Sequence, residues 1–363
     1  MSKAPSPQVS ILIPVFNAER YLFDCLESAA RQSLGDIEII CIDDASTDKS
    51  KEIIRGFEVS DSRFRYLPHA RNLGEGAARN TGINSACGRY VFHLDADDIL
   101  PDGALEKLWR VATTHASQLV KGAYAELSYD GRIISDRLQA PAEPVVNISI
   151  RESNFLKQVP VGHWSYLYER AFVKQNEVRY RTDMTVGLDL VALSEALVSA
   201  TRVSLLPDVV YHYRQTDDSA TRRATGPETV RDGIKTKKLV SSNLFNAGYA
   251  DAAVNILRRW DWQISAFWTN LSPATPEKAL TDLFAYFREV IPGGVAPWTA
   301  SSPLAHRCFL ASILLGHDSD AIELLEELQR GDDFQASPSL GIWCSRVLEL
   351  APDDMEVRGY AEI

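Results

Sequence analysis

Of the 363 residues, 45% are hydrophobic and 24% charged, a globular composition that excludes a mostly disordered chain and has the length of one large domain plus an appendage. The formal charge of -11, from 49 Asp+Glu against 38 Lys+Arg, excludes sequence-independent binding to nucleic acid, which needs a basic face to displace counterions. The five cysteines, Cys25, Cys41, Cys87, Cys308 and Cys344, have no metal-ligand spacing and read as reduced core residues. "MSKAPSPQ" lacks an apolar leader and runs such as "VSILIPVF" fall far short of a membrane span, so the chain is expected in the cytoplasm, with a peripheral contact at the inner face of the membrane left open.

"VSILIPVF" reads as a buried strand, and Tyr21, Leu22, Cys25, Leu26 and Ala29 then share one helix face, with Asn17 as the expected cap. The unit repeats in "IEIICIDD" and "ASTDKSKEIIRGF", with Ser46 as cap, and in "FRYLPH" and "LGEGAARNTGINSACG", with Gly88 as stop. "RYVFHL" is the fourth strand, and Pro101 is expected to open the next helix at its first position. Strands alternating with helices predict an α/β class with a Rossmann-like, mainly parallel sheet covered on both faces. "QLVKGAYAEL" and "GRIIS" form a further strand pair around Asp130-Gly131, and "APAEPVVN" reads as a Pro-rich loop.

From about residue 228 the strand signals vanish and helical periodicity takes over. The expected domains are residues 1–227, α/β, and residues 228–363, all-α. "NAGYADAAVNILRRW" and "LLGHDSDAIELLEEL" match at an offset of 68, Gly248 with Gly316 and Ala253 with Ala321. That is twice the roughly 34-residue period of tetratricopeptide-type helix pairs, with two copies legible. In "RRWDWQISAFW", Trp260, Ile264, Phe267 and Trp268 share a face and read as core, while Trp262 points elsewhere.

The chemistry concentrates in "YVFHLDADD". Strand carboxyl ends in an open parallel sheet line one crevice, where ligands bind. Residues two apart on an extended chain face the same way, roughly 6.6 Å apart, so Asp95 and Asp97 address one point. Two carboxylates aimed together repel unless a cation lies between them. Mg2+ or Mn2+ accepts a few carboxylates and completes its shell with phosphates and water, which gives a nucleotide diphosphate a reason to bind an acidic protein. The bland alternative is an acidic solvated loop. "PVFN", "IDDASTD" and "RNLGEGAARNTG" open on the same crevice, the last onto a helix N-terminus suited to anions.

In order and spacing these motifs resemble the inverting family 2 glycosyltransferases of the GT-A fold. The resemblance covers residues 9 to about 220 and rests on "VSILIPVFNAERYL", "IEIICIDDASTDKS", "NLGEGAARNTGINSACGRYVFHLDADD" and "VYHYRQTDDSAT". It implies transfer of a sugar from a nucleotide diphosphate, usually a UDP-sugar, to a glycan or glycoconjugate hydroxyl with inversion. By position, Pro14, Val15, Phe16 and Asn17 would frame the nucleoside and Asp43 or Asp44 would accept from the base. Arg79 and Asn80 match the family's "ARN" at the nucleotide end of their helix. Asp95, beside Ala96, would hold the ribose or a metal-bound water, and Asp97 would ligate Mn2+ or Mg2+ directly. His212 is either a further metal ligand or a structural strand residue. Arg214 either balances the diphosphate or pairs with Asp217 or Asp218.

The family's base lies in a Glu-Asp pair opening a helix; here the stretch is "DMTVGLDLVALSEAL", with Leu188 at the Glu position and Asp189 kept. Asp189 is the base candidate, its alternative a helix cap. "GHWSYLYERAF" matches the acceptor region, so His163 and Trp164 either contact the acceptor or pack in the core. A sugar-nucleotide pyrophosphorylase would need a Gly-rich basic loop after strand one, and a DxDx[TV] phosphatase does not fit "DADDI". The remaining alternative is a catalytically impaired nucleotide-sugar-binding protein acting through its helical part, to which Leu188 lends support.

Overall fold

The computed structural model describes residues 6–148, 162–216, 226–258, 271–290, 303–330 and 340–353. The chain divides into two compact units, Met1–Ser219 and Ala220–Ile363. In the first, β1 (Val9–Val15), α1 (Leu22–Ala30), β2 (Ile37–Asp43), α2 (Ser50–Ser60), β3 (Phe64–Pro68), α3 (Glu75–Ser85), β4 (Tyr90–His93) and α4 (Ala104–Thr114) alternate as the sequence predicts. β5 (Leu119–Leu127), β6 (Ile133–Leu138), β7 (Val145–Ile148), a short 3-10 turn (His163–Ser165), β8 (Tyr166–Glu169), α5 (Arg170–Gln175), α6 (Leu188–Ser199) and β9 (Val203–Arg214) complete it.

One nine-stranded sheet runs in the order β3-β2-β1-β4-β8-β5-β9-β7, with β6 on β5. The pairs β1–β2, β1–β4, β2–β3 and β5–β9 are parallel, and β8 lies antiparallel to both β4 and β5. β1 sits between β2 and β4, so the order reverses there, and a crevice opens at the carboxyl ends of those strands. β1 and β2 are buried along almost their whole length, as strands covered on both faces must be. Val9, Ile11, Ile13, Leu22, Cys25, Leu26, Phe92, Leu105 and Leu108 form the core on one side of the sheet.

Several local expectations are corrected. Asn17 does not cap α1, whose preceding residue is Tyr21, and Ser46 does not cap α2, which follows Lys49. Both side chains serve a loop-to-loop lattice instead. Gly88 lies beyond the end of α3 at Ser85, and α4 begins at Ala104 after a turn in which Pro101 supplies its carbonyl to the Ala104 N–H. "APAEPVVN" is not all loop: Val145–Ile148 pairs antiparallel with β9, adding an edge strand where period-2 patterning is absent.

The second unit contains α7 (Pro227–Asn246), α8 (Ala250–Arg258), α9 (Glu277–Val290), α10 (Leu304–Leu314), α11 (Asp318–Arg330) and α12 (Leu340–Leu350). Phe284, Phe287, Phe309, Leu324 and Trp343 anchor its core. Gly248 and Gly316, with φ of 88° and 81°, end α7 and α10 by the same left-handed turn, in which the following residue, Tyr249 or His317, donates back to Leu244 or Ser312. The sequence match at that offset therefore corresponds to one turn used twice. The aromatic stripe Trp260, Ile264, Phe267, Trp268, and Trp262 with it, lies outside the described residues. No helix among the described residues is long and apolar enough to cross a membrane.

Candidate active site

Beyond β1, Pro14 and Val15 stay within the strand, Phe16 is 51% exposed, and Asn17 turns the chain at a φ of 50°. Asn17 Oδ1 accepts from the Thr47 N–H (2.8 Å) and Oγ (3.3 Å), while its own N–H donates to Ser46 Oγ (3.0 Å). The Ala18 and Glu19 N–H groups donate to Ser50 Oγ and Asp48 Oδ2, both at 2.9 Å. The loops after β1 and β2 are thus laced into one rigid rim. Asp43 and Asp44 are both buried: Asp43 accepts from the Ser46 N–H and the Tyr66 hydroxyl, and Asp44 from the Leu73 and Gly74 N–H groups, with His69 Nδ1 at 2.6 Å. Their observed role is to shape the rim.

The three aspartates after β4 have three different environments. Asp98 is buried, accepting from the Tyr211 hydroxyl (2.7 Å) and the Arg214 N–H (2.7 Å). The same Tyr211 hydroxyl accepts from the Asp95 N–H at 3.1 Å, so Asp98 fastens the loop to β9. Asp95 Oδ1 accepts from Arg79 Nη2 at 2.6 Å. Burial and the neighbouring Asp95 push the Asp97 carboxyl up to about 6, against the weaker opposing pull of its own N–H and of Arg214. A half-buried carboxylate beside a second one, its charge only partly offset by Arg214, is the chemistry a hard divalent ion fits.

His212 lies on β9 with both backbone groups bonded to Ile99, and burial lowers its imidazole pKa. Among the described residues no three His, Cys, Asp or Glu side chains stand close enough to hold an ion, so His212 is not gathered with Asp95 and Asp97. Arg214 is buried and spends its donors on the Asp97 and Tyr129 carbonyls, with Asp24 at 3.6 Å; Asp217 and Asp218 lie outside the described residues. It braces the loop from beneath.

Arg79 is buried in α3, forked between Glu75 Oε1 (2.7 Å) and Asp95, with its guanidinium 5.4 Å from the Tyr180 ring centroid. Asn80 donates to the Tyr180 carbonyl (2.8 Å) and accepts from the Tyr180 N–H (3.0 Å), a two-way clamp on the backbone of one residue. Both therefore stand behind the crevice and hold other groups in place. Gly76 is obligatory nearby, since a Cβ there would lie 2.0 Å from the Arg181 carbonyl oxygen.

Asp189 is the second residue of α6, which starts after Gly187 without a side-chain cap. Asp189 is therefore not the N-cap residue itself, although the Leu190 N–H in the first turn also acts on its carboxyl. Its carboxyl side chain is 37% exposed, and Oδ2 lies 3.4 Å from His163 Nδ1. Burial pushes its pKa up, but the contact with His163 and the positive charge of Arg79 outweigh it and hold the group below the usual carboxylate range. Leu188, at the position where the resemblance expects Glu, is buried in the hydrophobic core. His163 and Trp164 are buried as well; Trp164 stacks on Tyr211 at 4.3 Å between centroids and on Tyr213 at 5.5 Å, so its indole packs in the core. The acceptor-contact alternative for Trp164 does not hold in this structure.

Sequence reasoning missed Glu75, Tyr180 and His93. Glu75 sits one turn before Arg79, a legible i,i+4 pair. Tyr180 and His93 carry no local signal, because their place beside His163 depends on strands distant in sequence.

The profile of the glycosyl transferase family 2 matches residues 10–174. An uncharacterised glycosyltransferase of Bacillus subtilis, EpsJ, is 30% identical over 223 residues, 59% of this chain and 63% of that one. The succinoglycan biosynthesis protein ExoO of Rhizobium meliloti is 27% identical over 221 residues, again 63% of its length. The chain thus spans somewhat less than two thirds of these curated relatives. The crystal structure of S. aureus TarS 1-349 in complex with UDP-GlcNAc superposes with a TM-score of 0.70 at 18% identity, covering 90% of this chain and 92% of that one. Residues 10–174 thus match a glycosyl transferase family 2 domain, and the fold is the GT-A fold of these structural neighbours.

Proposed function

We propose that the protein is a nucleotide-sugar glycosyltransferase that moves a sugar from a nucleoside diphosphate, with UDP the first candidate, to a hydroxyl of a glycan or glycoconjugate with inversion. The observation that carries this reading is that Arg79 links acids of two elements: it bonds Asp95 in the segment after β4, which also carries Asp97, and its positive charge acts on Asp189 of α6. Asp95 and Asp97 would hold Mn2+ or Mg2+. That ion would supply charge neutralisation for the departing diphosphate. The rim of Phe16 and Asn17 would face the nucleoside, and the laced loops keep it fixed without reorganisation at binding.

In one displacement the acceptor oxygen bonds to the anomeric carbon as the carbon–phosphate-oxygen bond breaks and both electrons leave with the diphosphate. The acceptor proton passes to Asp189. A carboxylate held below its usual range is ionised at neutral pH, and its partial exposure leaves it open to an acceptor. The similarity to a succinoglycan biosynthesis protein supports a surface polysaccharide or a related glycan as the acceptor class.

The test is release of nucleoside diphosphate from a panel of UDP-, GDP- and dTDP-sugars by the full chain, with and without Mn2+. Release from one donor class, lost in excess EDTA, is expected. Asp189→Asn should lower turnover by about 10²- to 10⁴-fold with donor affinity close to unchanged. Tight binding with no turnover of any donor would favour a binding protein over an enzyme.

A further inference from the structure

His163 is held by more than packing. It opens the 3-10 turn after Gly162, its carbonyl accepts from the Tyr168 hydroxyl at 2.9 Å, and its ring lies 5.5 Å from both the His93 and Tyr180 rings. The imidazole is 2% exposed, and neither ring nitrogen has a hydrogen-bond partner among the described residues. Burying a polar ring without partners is unfavourable, and such groups in native structures call for a reason. The nearest charged oxygen is Asp189 Oδ2, 3.4 Å from Nδ1 and itself partly exposed.

We propose that His163 is a positioning residue for the base: its imidazole carries a proton on Nδ1 and hydrogen-bonds through it to Asp189 Oδ2, turning Oδ1 toward the acceptor hydroxyl. This rests on the reading of Asp189 as the base. Hydrogen bonds of this kind are often long in the free protein and tighten in the reactive complex, and here a closure of about half an ångström suffices. Besides His163, the Leu190 N–H and the charge of Arg79 act on this carboxylate, while the adjacent Leu188 is buried and apolar and offers it no polar partner. A base oriented by a third group is the general logic of an activated site. His163 is buried among His93, Tyr168 and Tyr180, so its ring cannot swing away, and the constraint passes directly to the carboxylate.

The first test reads the proton itself. In the full chain labelled with 15N-histidine, the seven imidazoles are observed by long-range 1H–15N correlation, with His163 assigned by its loss in His163→Gln. The expected result is the neutral Nδ1–H tautomer, altered by Asp189→Asn. The Nε2–H tautomer would overturn the proposal, since a bare Nδ1 lone pair would face the carboxylate. The second test uses nucleotide release from UDP-glucose and UDP-GlcNAc, with Mg2+–UDP affinity measured alongside. His163→Asn keeps an amide donor near the Nδ1 position and should retain most turnover. His163→Gln places its amide near Nε2 and should lose about 10- to 100-fold, part of the contribution of a general base, with UDP affinity unchanged. In an Asp189→Asn background the same His163→Gln change should cost nothing further. Equal turnover by both His163 variants, or an undiminished loss in that background, would reduce His163 to packing. Normal turnover by Asp189→Asn alone would instead remove the base assignment.

Discussion

Arg79 Nη2 lies 2.6 Å from Asp95 Oδ1 and 2.7 Å from Glu75 Oε1, so one buried guanidinium holds a crevice carboxylate from behind. Asp95 is therefore fixed by α3. Its neighbour Asp97 is approached by Arg214 only at its backbone carbonyl and, through charge, at a distance, so the protein neutralises the two carboxylates to different extents.

Arg79→Met removes the cation between two carboxylates and should destabilise the fold by about 3 kcal/mol, as loss of one partner from a buried pair does. Arg79→Lys keeps a charge but not the fork, and should fall between the two. Urea unfolding measures the first effect, and calorimetric titration of Mg2+–UDP should show at least a roughly tenfold weakening for Arg79→Met. If both quantities match the parent, Arg79 does not set the position of Asp95.

Glu38, on β2, accepts from Ser10 Oγ (2.6 Å), the Cys87 and Gly88 N–H groups (2.6 and 3.2 Å) and Arg65 Nη1 (2.7 Å), tying β1, β3 and the turn before β4 together. Burial raises its pKa, but the hydrogen bonds from Ser10, Cys87 and Arg65 prevail and lower it. A folded-state pKa below the unfolded value gives stability that is full above about pH 4.5 and is lost as pH falls through the folded value. Glu38→Gln should thus cost about 2–4 kcal/mol at pH 7 and progressively less as the solution is acidified. An offset that is the same at pH 7 and pH 4 would contradict the assignment.

The alternation of strand and helix, and the three strand ends that meet at the crevice, were legible because burial on both faces demands unbroken apolar runs such as "VSILIPV" and "IEIICID". Asp189 was singled out by the resemblance to the family's base position, and Asp95 and Asp97 by their spacing. The contact between His163 and Asp189 was not, because it joins the turn before β8 to α6 through backbone geometry that no local pattern encodes. Nor were the caps: Asn17 and Ser46 have the right residue types, but two adjacent loops compete for the same side chains, and the loop-to-loop bonds win. β7 escaped because an exposed edge strand needs no apolar alternation.

Gly76 and Gly56 should respond to alanine with opposite signs. At Gly76 the new methyl meets the Arg181 carbonyl at 2.0 Å, a backbone atom that cannot rotate aside, whereas at Gly56, in α2, nothing lies within 4 Å. Gly76→Ala should cost about 1–3 kcal/mol through overpacking and displace the segment that carries Tyr180. Gly56→Ala should gain about 0.5–1 kcal/mol from helix propensity. Denaturant midpoints decide, and a stabilised Gly76→Ala would mean that the 180–182 segment is free to move off α3.

Asp97→Asn should stabilise the metal-free protein while removing its response to a divalent ion. Burial, and then Asp95, push the Asp97 carboxyl up to about 6, well above the ordinary aspartate range. A raised folded-state pKa means that the native protein binds the extra proton between those values. The associated stability is fully present below the unfolded pKa and is lost as pH rises through about 6. The asparagine variant carries no such penalty, so in EDTA at pH 7.5 it should melt above the parent, with the gap closing toward pH 5. With Mg2+ and UDP added at pH 7.5 the order should reverse, because the ion binds the parent's two carboxylates and stabilises only a form that can ligate it. Proton and ion then compete for the same oxygens, and the Mg2+-induced shift of the parent should shrink as pH falls through about 6. Thermal melts of both proteins at the two pH values, in EDTA and in Mg2+ with UDP, contain all four comparisons. Equal Mg2+ shifts for parent and variant would show that Asp97 is not a ligand, and an unchanged EDTA melt at pH 7.5 would show that its carboxylate is already neutralised by the protein.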